Sequence, residues 1–387
     1  MDEVIVGTYE GFLLGYSLRT EETDQKLRQT FASHLHTASV RCASMGGKFL
    51  ASGGTDDRVV VVDMKTRKEH TVLMNHDGTI NSVAFTHGGT HLLSASDDGS
   101  IIVTRTGNWQ MEKIWKKAHG GHPVTAIAVH PSDKLALSIG GDKSLRTWNL
   151  IKGRPAFTIN LASKGVVMAT DIKFSPSGDR FSLVSQQTVD VWTISKAGLE
   201  KRITCNSKPT CVQWVSDDKM FVGLENGNII NFSMSDTQAN TFQAHKERVK
   251  CLHYENDVLY SASSVGEIKL WSTINKLNVI CSCNASCRIT CMTLNRQNHL
   301  VKKEEQSDEE NEKTDNDIGN SDIEHNSDDA NNEPTSPLPK RKSGAFVTVS
   351  YGGDDNDGND KYLIEPPAKK TKKRKRSKRA KKINKSN

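Results

Sequence analysis

The 387-residue sequence lacks the marks of several protein classes. Eight cysteines are too few for a disulfide scaffold, and a reducing compartment would keep them as thiols. Four cluster at Cys281, Cys283, Cys287 and Cys291, but the spacing C-x-C-x3-C-x3-C lacks the paired C-x2-C units of a zinc site. They are expected to be small buried residues in two neighbouring strands. No apolar run approaches the roughly 20 residues of a membrane helix. The opening Met1-Asp-Glu is acidic where a secretory signal is basic and then apolar, so an intracellular protein is expected. Also absent are G-x-x-x-x-G-K-S/T, H-E-x-x-H and G-x-S-x-G, and with them the usual phosphate-loop, zinc-peptidase and serine-hydrolase signatures.

An internal repeat is present. His122, VTAIAVHPS and LALSIGGDKSLRTWN, ending at Trp148 and Asn149, match His245, RVKCLHYE and LYSASSVGEIKLWS, as well as His76, TINSVAFTHGG and HLLSASDDGSIIVTR. Aligned on the position of Trp148, the copies fall at nearly even intervals, at Tyr16, Val62, Thr104, Trp148, Trp192, Phe232 and Trp271. Six residues before each lies a turn, and the next residue is Gly11, Asp57, Gly99, Lys143, Gln187, Gly227 or Gly266. Four glycines in seven suit tight hairpins that need positive φ. Apolar runs such as VVVVD and IKLWS flank the turns, which is strand chemistry.

An even period of about 40 residues implies stacked units that cannot bury their faces alone. The pattern over residues 1 to about 295 resembles the WD40 family, whose unit is a four-stranded propeller blade with a His near its start and Trp-Asp at its end. The resemblance implies an all-β, seven-bladed β-propeller. It also implies a network of His, Ser or Thr, Asp and Trp that staples the strands of a blade. The matching residues are His36, Ser52 and Asp56 in the first blade, His76, Ser94 and Asp98 in the second, and His122, Ser138, Asp142 and Trp148 in the third. The sixth keeps His245, Ser261 and Trp271 with Val265 in place of Asp, and the fourth and fifth have no recognisable His. Such sets recur at fixed offsets, as a structural role predicts; a catalytic group would be expected once.

The first turn stands too near the start to leave room for its own opening strand, while RITCMTLN (288–295) looks like an opening strand with no blade after it. Ring closure is therefore expected, with 288–295 pairing with three strands from residues 3–33 so that both ends of the chain share one blade.

The formal net charge of +6 hides two opposed blocks. Residues 304–333 hold 13 acids and one Lys, whereas 369–385 hold 12 bases and no acid. Neither can bury enough apolar surface to fold alone. The expected organisation is a propeller over 1–300, a disordered acidic linker over 301–340, a further disordered linker over 341–368 and a basic tail over 369–387. Ser307, Ser321 and Ser327, each followed by Asp, are candidate sites for acid-directed kinases, and Ser336 precedes a Pro. Lys369, Lys370, Lys372, Lys373, Arg374, Lys375, Arg376, Lys378, Arg379, Lys381 and Lys382 form a candidate nuclear-targeting run, which an import receptor would read and which suits phosphate backbones.

The blade KLALSIGGDKSLRTWNLIKGRPAF, the shared last blade and the acidic-then-basic tail are together similar to one group, the nucleolar WD-repeat proteins that interact with p21-activated (PAK-type) kinases. That resemblance implies a scaffold in large (60S) ribosomal subunit biogenesis and rRNA processing. It would reside in the nucleus and nucleolus and bind pre-60S proteins and rRNA. The alternatives are a negative regulator bound to a PAK-type kinase, and a ubiquitin-ligase substrate receptor or chromatin adaptor. No enzyme activity, cofactor, metal, membrane or small-molecule substrate is expected.

Overall fold

In the computed structural model, residues 2–21, 24–196, 198–235, 239–274 and 277–296 are described. They form seven four-stranded antiparallel sheets and one turn of 3-10 helix at Ala162–Lys164. Each sheet is a blade. The innermost strands are Val40–Gly46, Ile80–Phe85, Val124–Val129, Asp171–Phe174, Pro209–Trp214, Val249–Glu255 and Ile289–Asn295. Each touches the next, and Ile289–Asn295 touches Val40–Gly46, so the ring is closed.

The seventh blade is made from both ends of the chain. Its order is Ile289–Asn295, Glu3–Thr8, Phe12–Glu21, Asp24–His34, as the missing first strand led one to expect. The Glu3–Thr8 strand, EVIVGT, is buried along its whole length. Its Val4 and Val6 pack with Ile268 and Leu270 of blade 6, and its Ile5 packs with Leu50 and Val60 of blade 1. Burying one such side chain is worth about 1.5–3 kcal/mol, so this strand holds the ring on both flanks. A buried carboxylate adds a polar clasp: Glu3 lies 2.8 Å from the Arg67 guanidinium of blade 1 and accepts from Asn295 Nδ2 at 3.0 Å.

Because the strands alternate in direction, the hairpin between second and third strands and the loop entering the innermost strand lie on the same face, called here the upper face. They are tied together blade by blade. Thr55 N donates to Ser39 O at 2.9 Å, Gly141 N to Pro123 O at 2.9 Å, Ser264 N to Arg248 O at 3.0 Å, and in the shared blade Tyr9 N to Arg288 O at 2.9 Å. The residue expected to need positive φ has it in six blades: Gly11, Asp57, Gly99, Lys143, Gly227 and Gly266 have φ between 57° and 104°. Gln187 of blade 4 is the departure.

Candidate functional site: the blade staples and the channel mouth

Four blades carry a buried histidine that joins three segments. In blade 1, His36 Nδ1 is 2.9 Å from Asp56 Oδ1 and Nε2 is 2.8 Å from Ser52 Oγ. In blade 2, His76 is 2.8 Å from both Asp98 Oδ2 and Ser94 Oγ. The loop before the innermost strand, the second strand and the hairpin after it are thereby linked through one imidazole.

Blade 3 has the same arrangement with a different histidine. His119, not the expected His122, places Nδ1 2.9 Å from Asp142 Oδ1 and Nε2 2.7 Å from Ser138 Oγ. His122 is exposed, and its amide donates to the His119 carbonyl at 3.0 Å. The offset from His36 to Ser52, repeated from His245 to Ser261, pointed to His122, but the blade 3 loop is longer. Gly120 (φ 67°) and Gly121 (φ 91°) take up the excess by entering the left-handed region. One sequence signal did mark His119. Ala118-His119 repeats Ala244-His245, and both alanine amides donate to the hairpin glycine of the preceding blade, Gly99 and Gly227.

In blade 6 the missing Asp at Val265 is replaced from two residues further on. Glu267 Oε2 lies 2.7 Å from His245 Nδ1, its extra methylene covering the distance, while Nε2 is 2.8 Å from Ser261 Oγ. Trp148 and Trp271 each donate Nε1–H to the serine of their own blade at 2.8 Å. The serine hydroxyl must then donate to the imidazole, whose other nitrogen donates to the carboxylate, giving one directed chain from Trp to acid.

The electrostatics fit this chain. Burial depresses the pKa of His119 and His245 in spite of their acidic partners, so both are neutral. Burial also works to raise the carboxylates of Asp56, Asp98, Asp142 and Glu267. Hydrogen bonds outweigh it, from His36 to Asp56, Ser100 to Asp98, Ser144 to Asp142 and His245 to Glu267, and all four lie below their ordinary values. A Ser, a His and an Asp in line invite comparison with a hydrolase triad. Ser138, however, is fully buried and already bonded to Trp148 and His119, so it fastens strands and presents no nucleophile.

Blades 4 and 5 are built otherwise. Trp192 is wholly buried, yet its Nε1 has no hydrogen-bond partner among the described residues, and Ser182, ten residues before it, accepts from Trp214 of blade 5 at 3.1 Å. Asp190, also buried, is gripped by Arg202 through two hydrogen bonds of 2.8 and 2.7 Å.

A channel of about 1230 Å³ runs through the ring. In six blades the innermost strand opens with a bulge, at Arg41, Asn81, Thr125, Thr210, Lys250 and Thr290, and in blade 4 Asp171 takes that place. These seven residues line the channel towards the upper face. Burial raises the Asp171 pKa against the pull of Lys173 and Lys250, and deeper in, burial and then Lys173 push His253 down to about 3. The next residue is cysteine in four blades. Cys42, Cys211 and Cys291 pack on the bare backbones of Gly53, Gly223 and Gly7, and burial raises these thiols and that of Cys251, so they are packing groups. Among the described residues no cluster of His, Cys, Asp and Glu could hold a metal ion.

Comparison with known proteins agrees with this geometry. The family described as WD domain, G-beta repeat matches at residues 25–63, 67–104 and 113–149. The chain is similar to p21-activated protein kinase-interacting protein 1-like of Danio rerio, at 35% identity over 75% of this chain and 79% of the relative. It is 30% identical to p21-activated protein kinase-interacting protein 1 of Homo sapiens, over 75% and 76%. The chain belongs to this WD40-repeat family. Shk1 kinase-binding protein 15 of Schizosaccharomyces pombe is similar as well, at 29% identity over 74% of this chain and 82% of the relative.

In this family member Cys281 and Cys283 lie on the outermost strand of blade 6, Cys287 in the following loop and Cys291 on the next strand, so Cys287 departs from the expected strand placement. Ser307, Ser321, Ser327 and Ser336, the run from Lys369 to Lys382, and the boundaries drawn at 340 and 368 all lie outside the described residues. Glu267 was not foreseen because the repeat pattern places the acid at the turn itself, whereas a longer acid two residues on reaches the same nitrogen.

Proposed function

We propose that this protein is a non-enzymatic WD40 scaffold in assembly of the large ribosomal subunit and rRNA processing. On this reading it works in the nucleolus, where it binds proteins and rRNA of pre-60S particles, and its basic segment is read by an import receptor. The observation that carries the scaffold reading is that the polar sets with catalytic-looking chemistry recur in four blades, buried and spent on holding strands together. Recognition is left to the loops on a rigid frame. The ribosomal assignment is supported by the family resemblance and by the two charge blocks after the propeller.

A second reading, binding and restraint of a PAK-type kinase, is favoured by the relatives' names, which record kinase interaction in vertebrates and in a fission yeast. Sucrose-gradient sedimentation of nuclear extract separates the two. Co-migration with pre-60S particles is expected; recovery solely in a light fraction with a kinase would overturn the ribosomal reading. Removing residues 369–387 is expected to reduce nuclear accumulation, and an unrelated import signal fused to the truncated chain should restore precursor rRNA ratios.

A further inference from the structure

We propose that the outer rim of blades 2 and 3 binds the phosphate backbone of double-stranded RNA. This rests on the reading that the scaffold handles ribosomal RNA, and adds to it the surface and the form of the RNA. The outermost strand of blade 2, Gln110–Trp115, runs on through Lys116 and Lys117, and Lys113, Lys116 and Lys117 are all exposed. Across the junction, blade 3 exposes Lys152 and Arg154 on either side of Gly153, where the chain enters its own outermost strand. Trp115 joins the two segments: its Nε1–H donates to the Gly153 carbonyl at 3.0 Å, and its ring stacks on Trp148 of blade 3 at 4.4 Å. With no side chain at Gly153, the Lys113 stem crosses over it, its Cε 3.8 Å from the point a Cβ would occupy. Five cations from two blades are thereby gathered at one rigid joint.

None of the five has an ion-pair partner among the described residues. The acids of the same stretch are occupied elsewhere. Glu112 is held by Arg105 at 2.6 Å and His91 at 2.7 Å, Asp133 accepts the amides of His87 and Gly88 at 2.7 and 2.8 Å, and Asp142 belongs to the blade 3 staple. Blade 4 offers a contrast, because on its outermost strand Arg202 is paired with Asp190 and Glu200 with Arg180. Unpaired cations gathered in one arc repel one another, so they do not serve the fold. Their summed field reaches outward, where it concentrates an anionic ligand.

The arc supplies charge without stacking platforms. Trp115 is only 8% exposed, and the exposed Phe157 ring lies on the other side of its strand, beside Thr147 on the face that packs on blade 4. Single-stranded RNA is held by bases stacked on several aromatic rings along a basic track. A duplex has its bases already stacked and is recognised through its phosphates and 2′-hydroxyls, which fixed surface cations suit. An acidic peptide draws on strand pairing or on apolar anchors. Pro155, which has no N–H, and a bulge at Ala156 break up the sheet edge beside Arg154 and oppose such pairing.

The test is fluorescence anisotropy on the full-length protein. The probes are a labelled RNA duplex of about 16 base pairs, an oligouridine of the same length and a polyglutamate peptide. Because the 369–385 run attracts any anionic probe, each affinity is read as a ratio to wild type. Lys113→Glu/Lys152→Glu/Arg154→Glu is expected to weaken duplex binding at least tenfold and to lower the slope of log affinity against log salt by about 2–3. Oligouridine and polyglutamate should change less than threefold. So should duplex binding by Lys65→Glu/Lys68→Glu/Lys219→Glu, which makes the same charge change at exposed positions on blades 1 and 5. Should the triple reversal melt early, Lys113→Gln/Lys152→Gln/Arg154→Gln is expected to weaken the duplex at least threefold. The proposal is overturned if the duplex is indifferent to both sets, if the control set weakens it equally, or if oligouridine or polyglutamate loses as much. Loss of duplex binding by a protein that sediments only in a light fraction would keep this surface and defeat the ribosomal reading; co-migration with pre-60S particles and no such loss would do the reverse.

Discussion

Replacing His119 with Ala tests the logic of the staples most directly. The change removes hydrogen bonds of 2.9 Å to Asp142 and 2.7 Å to Ser138. Asp142 keeps Ser144, through its amide at 3.0 Å and its hydroxyl at 2.7 Å, so the carboxylate is not orphaned. The Ser138 hydroxyl keeps the Trp148 donor but loses the acceptor for its own proton at a fully buried site, which costs about 1–3 kcal/mol. The vacated ring leaves a cavity where His119 was completely buried, adding roughly 1–2 kcal/mol on the scale of large-to-small substitutions. The expected loss is therefore about 2–5 kcal/mol, centred near 3.5. At about 2–4 °C per kcal/mol, that lowers the melting temperature by roughly 10 °C.

His122→Ala, three residues away at an exposed position, should stay within about 0.5 kcal/mol of wild type. Paired thermal melts followed by circular dichroism, at one scan rate, decide the matter. Equal shifts, or a larger one at His122, would refute the assignment of His119 as the buried link. A double change with Ser138→Ala should fall short of additivity by about 0.5–3 kcal/mol, because the two residues share one bond.

The shared blade makes a second prediction: Glu3→Ala leaves the partly exposed Arg67 guanidinium without its acid and should lower stability by about 2 kcal/mol in urea unfolding, whereas Glu69→Ala on the outer strand of blade 1 should not. The hairpin position predicts opposite signs for two substitutions. Gly227→Ala forces a methyl into left-handed backbone and against the His245 carbonyl, and should cost more than about 2 kcal/mol. Lys143→Gly relieves a side chain held at φ 57° and should gain about 0.5–1 kcal/mol, both read as shifts of the urea midpoint. Acid should destabilise the propeller in two stages. His119, His245 and His253 have folded pKa values below the ordinary 6.5, so the unfolded chain binds more protons below about that pH and stability falls there. Asp56, Asp98, Asp142 and Glu267 add a further loss below about pH 4, as pH drops through their lowered folded values. Urea midpoints at pH 7, 6, 5 and 4 should decline steadily, and His253→Gln should flatten the first stage; a flat profile in wild type would refute the burial of neutral imidazoles.

The architecture was legible because it is written in spacing. Seven evenly spaced turns, an orphan strand at 288–295 and a first turn close to the start led directly to a closed ring, and pairing of Glu3–Thr8 with Ile289–Asn295 is its physical form. Individual partners were less legible. His119 and Glu267 were missed because loop expansion and side-chain length both alter which atom arrives at a given point without altering the strand register. The exchange of Trp192 for Trp214 at Ser182 is harder still, since it joins neighbouring blades and no offset within one repeat encodes it.

In five blades the second strand is tied to the segments around it, and the chemistry of the tie is interchangeable: His with Asp in blades 1, 2 and 3, His with Glu in blade 6, and Glu3 with Arg67 and Asn295 at the closure. In blade 4 the Asp190–Arg202 pair joins the third strand to the outermost one instead. All of these ties point away from the channel. The opening position of each innermost strand sits on a similar backbone frame, with a bulge in six blades, and its side chain takes no part in the staples, although Asn81, Thr210 and Thr290 donate to the carbonyls of Val124, Gly223 and Gly7. Seven such positions surround one opening and hold Arg, Asn, Thr, Asp, Thr, Lys and Thr, so a nearly symmetric scaffold presents an asymmetric pattern of charge. Repetition supplies the rigidity, and variation of one residue per blade breaks the symmetry of the opening.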